Sequence, residues 1–231
     1  MSSKLDILEL RGLTSAHAWD YENGFHWFSH PSRMAKMFAH YELYKSIVDL
    51  PGHVIELGVY KAASLIRWLT LREIFESDYS RKIFGFDAFG KFPVIDVANS
   101  ADLRFINQFE GAGGEGLSAD ECNEILEKKR FENCVLIQGN IFDTIPLFLA
   151  EHPELKIALL HLDMDVHEPT AYALDMLFDR VVPGGLIVVD DYNAVAGATR
   201  AIDEFLSRKT GGDLAIRKLP YYSVPAFIRK T

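Results

Sequence analysis

The sequence predicts an α/β fold: a mostly parallel sheet covered by helices on both faces. Three observations predict it. After Pro51-Gly52, short apolar runs alternate with stretches of helical spacing, the signature of a parallel sheet with crossover helices. Several runs end in acidic residues, which suits a ligand site at the carboxyl ends of the strands. The chain has 231 residues, 48% hydrophobic and 25% charged, enough to bury one sizeable core.

The first fifty residues read as a helical appendage (1–50), and residues 51–231 as a single α/β domain. Residues 14–32 are rich in His, Trp, Phe and Ser without periodicity and read as irregular. A helix is expected from Ser32 to Val48, because Met34, Met37, Phe38, Tyr41, Tyr44 and Ile47 recur at spacings of three and four. The strand runs follow: His53–Val59, Lys82–Phe86, Cys134–Gln138, Ile157–Leu162 and Leu186–Val189. Their continuous apolar character fits strands buried on both faces. Helices are expected near 63–76, 119–130, 143–151, 169–179 and 195–208. Ser118 with Glu121 three residues on resembles a capping box opening the second of these. Final strands are expected at 214–218 and 223–229. Residues 88–117 carry glycines and little periodicity and read as a lid.

Lys and Arg number 24 against 33 Asp and Glu, a formal charge of −9. That balance disfavours nucleic acid and anionic membranes. Cys122 and Cys134 give neither a disulfide framework nor metal-ligand spacing. No secretory signal opens the sequence and no uncharged stretch spans a bilayer, so a cytoplasmic protein is expected.

The first run ends Glu56-Leu57-Gly58-Val59-Tyr60-Lys61-Ala62-Ala63-Ser64. A glycine past a buried strand permits a tight turn and close approach of a ligand to the backbone. Only one of the three glycines of the dinucleotide fingerprint is present, so a plain strand-to-helix turn stays open. The second run ends at Asp87, where nucleoside-binding folds place a ribose-binding carboxylate. The fourth reads His161-Leu162-Asp163-Met164-Asp165-Val166-His167. Its polar residues alternate and would share one side if extended. The fifth ends Asp190-Asp191-Tyr192. Adjacent strands lie about 4.8 Å apart, so carboxylates at both ends can meet over a cation. Oxygen ligands favour Mg²⁺, Ca²⁺ or Mn²⁺. Zinc would need a second histidine-rich cluster, and none is legible.

Four segments together resemble the macrocin O-methyltransferase family: 54–59, 85–93, 162–170 and 183–192. The similarity runs from about residue 31 to 208. The resemblance implies a class I methyltransferase sheet with an antiparallel last strand, and S-adenosylmethionine (AdoMet) as cofactor at Glu56, Gly58 and Asp87. It extends the cofactor set to Tyr60, Ser64, Asn140 and Asp163, and implies Mg²⁺ or Mn²⁺ at Asp163, Asp190 and Asp191. The sequence departs from the family at three places. Ala62 stands where a second loop glycine is usual, Asn140 where an acidic residue is common, and His167 where an aromatic one is.

The expected activity is methylation of a hydroxyl on a sugar-containing small molecule. Asp163 takes part in the catalytic set, and the general-base candidates are His167, Asp165 and His161, with His167 favoured because imidazole is the ordinary proton acceptor near neutral pH. A homo-oligomer is expected, with the aromatic N-terminal segment as a candidate interface. A catechol-like phenol is an alternative acceptor. A haloacid-dehalogenase-type phosphatase would use Asp163-Met164-Asp165, but it needs a lysine before Asp190, and only Arg180 stands there.

Overall fold

The computed structural model describes residues 7–91, 113–209, 214–220, 222 and 224–231, with isolated positions 102, 104, 106, 108 and 111. A small hairpin, β1 (Glu9–Leu10) and β2 (Leu13–Thr14), leads into α1 (Ala18–Phe28) and α2 (Pro31–Lys45). Then come β3 (His53–Leu57), α3 (Ala63–Phe75), β4 (Ile83–Asp87), α4 (Ala119–Lys129), β5 (Cys134–Gln138) and α5 (Ile141–Glu151). The chain continues through β6 (Ile157–Leu162), α6 (His167–Leu177), β7 (Val181–Val189), α7 (Ala196–Arg208), β8 (Ile216–Lys218) and β9 (Ala226–Arg229).

The main sheet has seven strands in the order β5-β4-β3-β6-β7-β9-β8. Six run in one direction, and β9 alone runs antiparallel, between β7 and β8. From β3 the chain builds outward through β4 and β5, then returns to place β6 on the other side of β3. The strand order therefore reverses between β3 and β6. Such a switch point opens a crevice at the carboxyl ends, and ligands bind there.

Period-2 alternation divides β7 between the two faces of the sheet. Ile187 and Val189 enter one core with Leu160, Leu174 and Phe205. Leu186 and Val188 enter the other with Trp68, Leu65 and Tyr44. The second core includes Leu43 and Tyr44 of α2, so that helix packs into the body of the fold. Among the described residues no helix is long and apolar enough to cross a membrane.

The elements differ from expectation in instructive places. Residues 14–32, expected to be irregular, hold a 3-10 turn and all of α1. No residue of α1 is buried, so no apolar stripe marks it. The structure starts α2 at Pro31, whose missing N–H costs nothing at a first helical position; the His30 side chain accepts from Ser32 N. The strand expected at 186–189 begins at Val181. Its pairing jumps from Ile157↔Val181 to Leu159↔Leu186, so Pro183-Gly184-Gly185 form a bulge inside the strand. The expected capping box is present: Ser118 N donates to Glu121 and Glu121 N donates to Ser118. The lid expected over 88–117 lies mostly outside the described residues.

Candidate active site at the strand ends

Gly58 leaves β3 with φ +94°. A Cβ there would lie 1.9 Å from the Asp163 carbonyl oxygen, so only glycine permits this approach. The loop that follows holds Tyr60 and Ala62 at positive φ, +50° and +58°, before α3 begins. Asp87 at the end of β4 grips this loop. Its Oδ2 accepts from Val59 N at 2.7 Å and Tyr60 N at 2.9 Å, and its Oδ1 from Phe89 N at 2.7 Å. A carboxylate has about four lone-pair sites, so capacity remains for a ligand hydroxyl.

These groups border a cavity of about 360 Å³, within the usual range for small-molecule sites. Gly58, Tyr60, Asp87, Asn140, Asp163 and Asp165 all line it. Asn140 caps α5, its side-chain oxygen accepting from Phe142 N at 3.2 Å, which leaves the amide N–H₂ to donate. Glu56 and Ser64 were also expected beside the cofactor, but neither lines the cavity. Glu56 is fully buried, with its Oε1 3.2 Å from His161 Nδ1.

Beyond Asp163 the site becomes acidic. Asp163, Asp165 and Asp191 bring carboxylate oxygens within 4.8 Å of one another. Burial pushes all three carboxyls up from their usual range, and the neighbouring carboxylates push further. Asp191 Oδ2 is buried without a hydrogen-bond partner. Asp165 holds this position with φ +65°, a conformation that costs a non-glycine residue about 1–2 kcal/mol. Concentrated like charge, an orphaned oxygen and hard donors together fit a divalent cation such as Mg²⁺.

Asp190 raises the same three carboxyls from beside them and has partners of its own. Its Oδ2 pairs with Lys36 of α2, and its Oδ1 lies 3.6 Å from His161 Nε2. Burial alone would raise this carboxyl, but His161 and Lys36 outweigh it and hold it low. His167 is also engaged: its Nε2 lies 2.8 Å from Glu204 of α7, and its backbone N donates to Asp102 at 3.2 Å. It does not line the cavity, whereas Asp165 does.

Lys36, His40 and Trp68 escaped the sequence reading. Lys36 and His40 both lie outside the apolar stripe expected for α2: the helix buries Ala39, His40, Leu43 and Tyr44, and Met37, Phe38 and Tyr41 of that stripe are exposed. Their partners lie on strands that follow much later in the chain.

A seven-stranded sheet of this order, one antiparallel strand, and a cavity at the switch point define the class I methyltransferase fold. Residues 32–215 match the model of the family described as Macrocin-O-methyltransferase (TylF), and the chain belongs to that family. One relative is the 8-demethyl-8-(2,3-dimethoxy-alpha-L-rhamnosyl)-tetracenomycin-C 4'-O-methyltransferase of Streptomyces olivaceus. It is 26% identical over 163 residues, covering 69% of this chain and 59% of that protein. Another is the demethyldecarbamoylnovobiocin O-methyltransferase of Streptomyces niveus, 25% identical over 169 residues, with 69% and 60% covered. The matches thus span about three fifths of these relatives. The fold is similar to that of the calicheamicin methyltransferase CalS11, with TM-score 0.68, 23% identity, and 92% and 85% coverage. It is also similar to the O-methyltransferase NovP, with TM-score 0.72, 19% identity, and 84% and 79% coverage.

Proposed function

We propose that the chain is an AdoMet-dependent O-methyltransferase that acts, with a divalent cation, on a hydroxyl of a sugar-containing small molecule. One observation carries the reading. A single cavity runs from the Gly58–Asp87 turn, suited to a nucleoside, to the carboxyls of Asp163 and Asp165, suited to a hydroxyl and its proton. Family membership and the relatives named for O-methylation of a rhamnosyl tetracenomycin and a novobiocin precursor support it.

When bound, AdoMet supplies an electrophilic methyl group, and a divalent cation supplies a Lewis acid that acidifies an acceptor hydroxyl. The residues divide the remaining work. Asp87 receives ribose hydroxyls while fixing the loop that meets them. Asn140 donates toward the adenine end. Asp163 and Asp191 hold the ion, and two carboxylates suffice for Mg²⁺, which keeps several waters. Asp190, next in the chain to Asp191 and close enough to raise the Asp163 carboxyl, is the third proposed ligand.

Asp165 takes the acceptor proton. It lines the cavity beside Asp163, and a carboxylate placed there can accept the hydroxyl proton as a general base. His167, tied to Glu204, serves α6–α7 packing instead. Magnesium or manganese is the proposed ion, and a cytoplasmic homo-oligomer the proposed state. The exposed Trp19, Trp27 and Phe28 of α1 support an interface there.

The test is AdoMet turnover against sugar, nucleotide-sugar, phenol and phosphorylated acceptors, with and without Mg²⁺. Methylation of a glycosidic hydroxyl that needs Mg²⁺ is expected. Turnover confined to phenols would replace the acceptor class, and no turnover with any acceptor would overturn the reading.

A further inference from the structure

We propose that His161 is a positioning residue for the strand-end cation: its Nε2–H steadies the Asp190 carboxylate, and Trp68 and Glu56 fix the ring that does so. The proposal rests on the reading of Asp190 as a ligand of that ion. His161 is fully buried in β6 and does not line the cavity, so it acts through another side chain.

The neighbours of the ring decide which nitrogen carries the proton. Trp68 Nε1–H donates to His161 Nδ1 at 3.3 Å. An indole N–H can only donate, so Nδ1 accepts, and the neutral ring keeps its proton on Nε2. Glu56 stands opposite His161 on β3, with its Oε1 3.2 Å from the same nitrogen. A proton held between those two atoms makes the ring an imidazolium, which carries Nε2–H as well. The remaining form has its proton on Nδ1 alone. It would set two N–H groups against each other at Trp68 and a lone pair against a carboxylate at Asp190. Nε2 therefore carries a proton in both permitted forms.

That proton has one acceptor. Nε2 of His161 and Oδ1 of Asp190 are both buried and stand 3.6 Å apart, and neither has another hydrogen-bond partner among the described residues. Buried polar atoms are almost always paired, and a shift of about half an ångström brings this donor and acceptor within bonding reach. Lys36 pairs with the other oxygen, Oδ2. A carboxylate has about four lone-pair sites, so both oxygens keep capacity for the ion while donors restrict their rotation. Carboxylates that bind metals are themselves hydrogen-bonded in this way.

The support extends one layer further. The Trp68 ring stacks on His40 at 4.3 Å and on Tyr44 at 6.3 Å, which sets the direction of its N–H. Glu56 lies on the strand that leads into the Gly58 turn, and Asp190 directly follows β7. One imidazole thus ties the cofactor end of the sheet to the cation end.

The test uses the full chain, with Mn²⁺ standing for Mg²⁺. Nitrogen NMR of histidine in the metal-free wild type should show a proton on His161 Nε2, a reading that depends on no variant folding. Mn²⁺ binding, followed by electron paramagnetic resonance, should weaken by about 10–100-fold in His161→Leu, with affinity for S-adenosylhomocysteine unchanged. His161→Gln supplies an amide N–H in place of the imidazole donor and should recover most of the Mn²⁺ affinity, which a role in packing alone would not produce. In an Asp190→Asn background, His161→Leu should add little, because its effect passes through that carboxylate. An unprotonated Nε2, wild-type Mn²⁺ affinity in His161→Leu, or equal losses in the Leu and Gln variants would overturn the proposal alone. A wild type that binds no Mn²⁺ would overturn the cation reading and this proposal with it.

Discussion

The carbonyl oxygen of Asp163 stands 1.9 Å from where a β-carbon on Gly58 would lie. The turn proposed to receive the nucleoside and the segment that carries the acidic cluster are thus in backbone contact. Asp163 N also donates to Leu57 O at 2.9 Å. Neither segment can shift without the other. Gly58→Ala must separate them and also hold φ near +94°. Overpacking with backbone displacement costs about 1–3 kcal/mol, and the φ penalty adds about 1–2 kcal/mol. The expected result is a variant less stable by about 3 kcal/mol in urea titration, with AdoMet binding lost in calorimetry. Wild-type affinity would show that the contact is not needed.

Asp87 holds three backbone N–H groups at 2.7–2.9 Å. Asp87→Ala should weaken AdoMet binding by about 1–3 kcal/mol, the loss typical of charge-assisted hydrogen bonds. Asp87→Asn keeps one acceptor oxygen but adds donors facing the donors of the loop. It should therefore recover only part of the affinity. An Asn variant that binds as tightly as the wild type would remove the carboxylate's charge from the argument.

Much of the fold was legible because buried parallel strands are short apolar runs bounded by breakers. Ile157–Leu162 is apolar except for His161, and so was readable as a strand. Gly58, Asp87 and Asp163 were legible because the fold class places chemistry at strand ends. What was not legible depends on distant partners or on φ. α1 buries nothing, so no stripe betrays it. Asp165 faces the cavity from a positive-φ position that no sequence pattern announces. The ring contact of His40 with His161 exists only once α2 packs across the strand ends. The same packing pairs Asp190 with Lys36, while Asp190 stays close enough to raise the carboxyls of Asp163, Asp165 and Asp191.

Arg81 anchors the region beneath α2. Its guanidinium is buried and bonds Glu76 at 2.8–3.1 Å. It also donates to the carbonyls of Gly52, Ile47 and Leu50 at 3.0–3.1 Å. Glu76 in turn accepts from Tyr44 OH at 2.6 Å. Arg81→Met leaves the Glu76 carboxylate and the carbonyls without their cation. Breaking a buried pair in this way costs about 3–5 kcal/mol. The check is a urea midpoint for Arg81→Met beside the double variant Arg81→Met/Glu76→Gln. The double variant should recover part of the loss, because no buried charge is stranded. Purely additive losses would show that the two residues do not act as a pair.

The acidic cluster sets a pH dependence whose sign follows from the direction of its shifts. Burial, then the neighbouring carboxylates, raise Asp165 to about 7 and Asp191 to about 8, from about 3.9 for an unperturbed carboxyl. Between that range and about pH 8 the folded, metal-free protein binds more protons than the unfolded chain. Its stability from these groups is complete below the unfolded value and is lost as pH rises through the folded values. Thermal midpoints of the chelated protein should therefore fall from about pH 5 to about pH 8, by roughly 2–4 °C for each kcal/mol lost. Mg²⁺ replaces the protons as counter-charge, so its stabilising effect should grow across the same window, and binding should release protons to the buffer. Asp191→Asn removes one of the interacting carboxyls. It should flatten the slope, abolish Mg²⁺ stabilisation and Mg²⁺-dependent methyl transfer, and leave AdoMet binding nearly intact. Asp163→Asn should do the same. The two effects should not add, because both disable one shared ion. A midpoint that rises with pH in the metal-free protein, or full methyl transfer in chelator, would show that these carboxylates do another job.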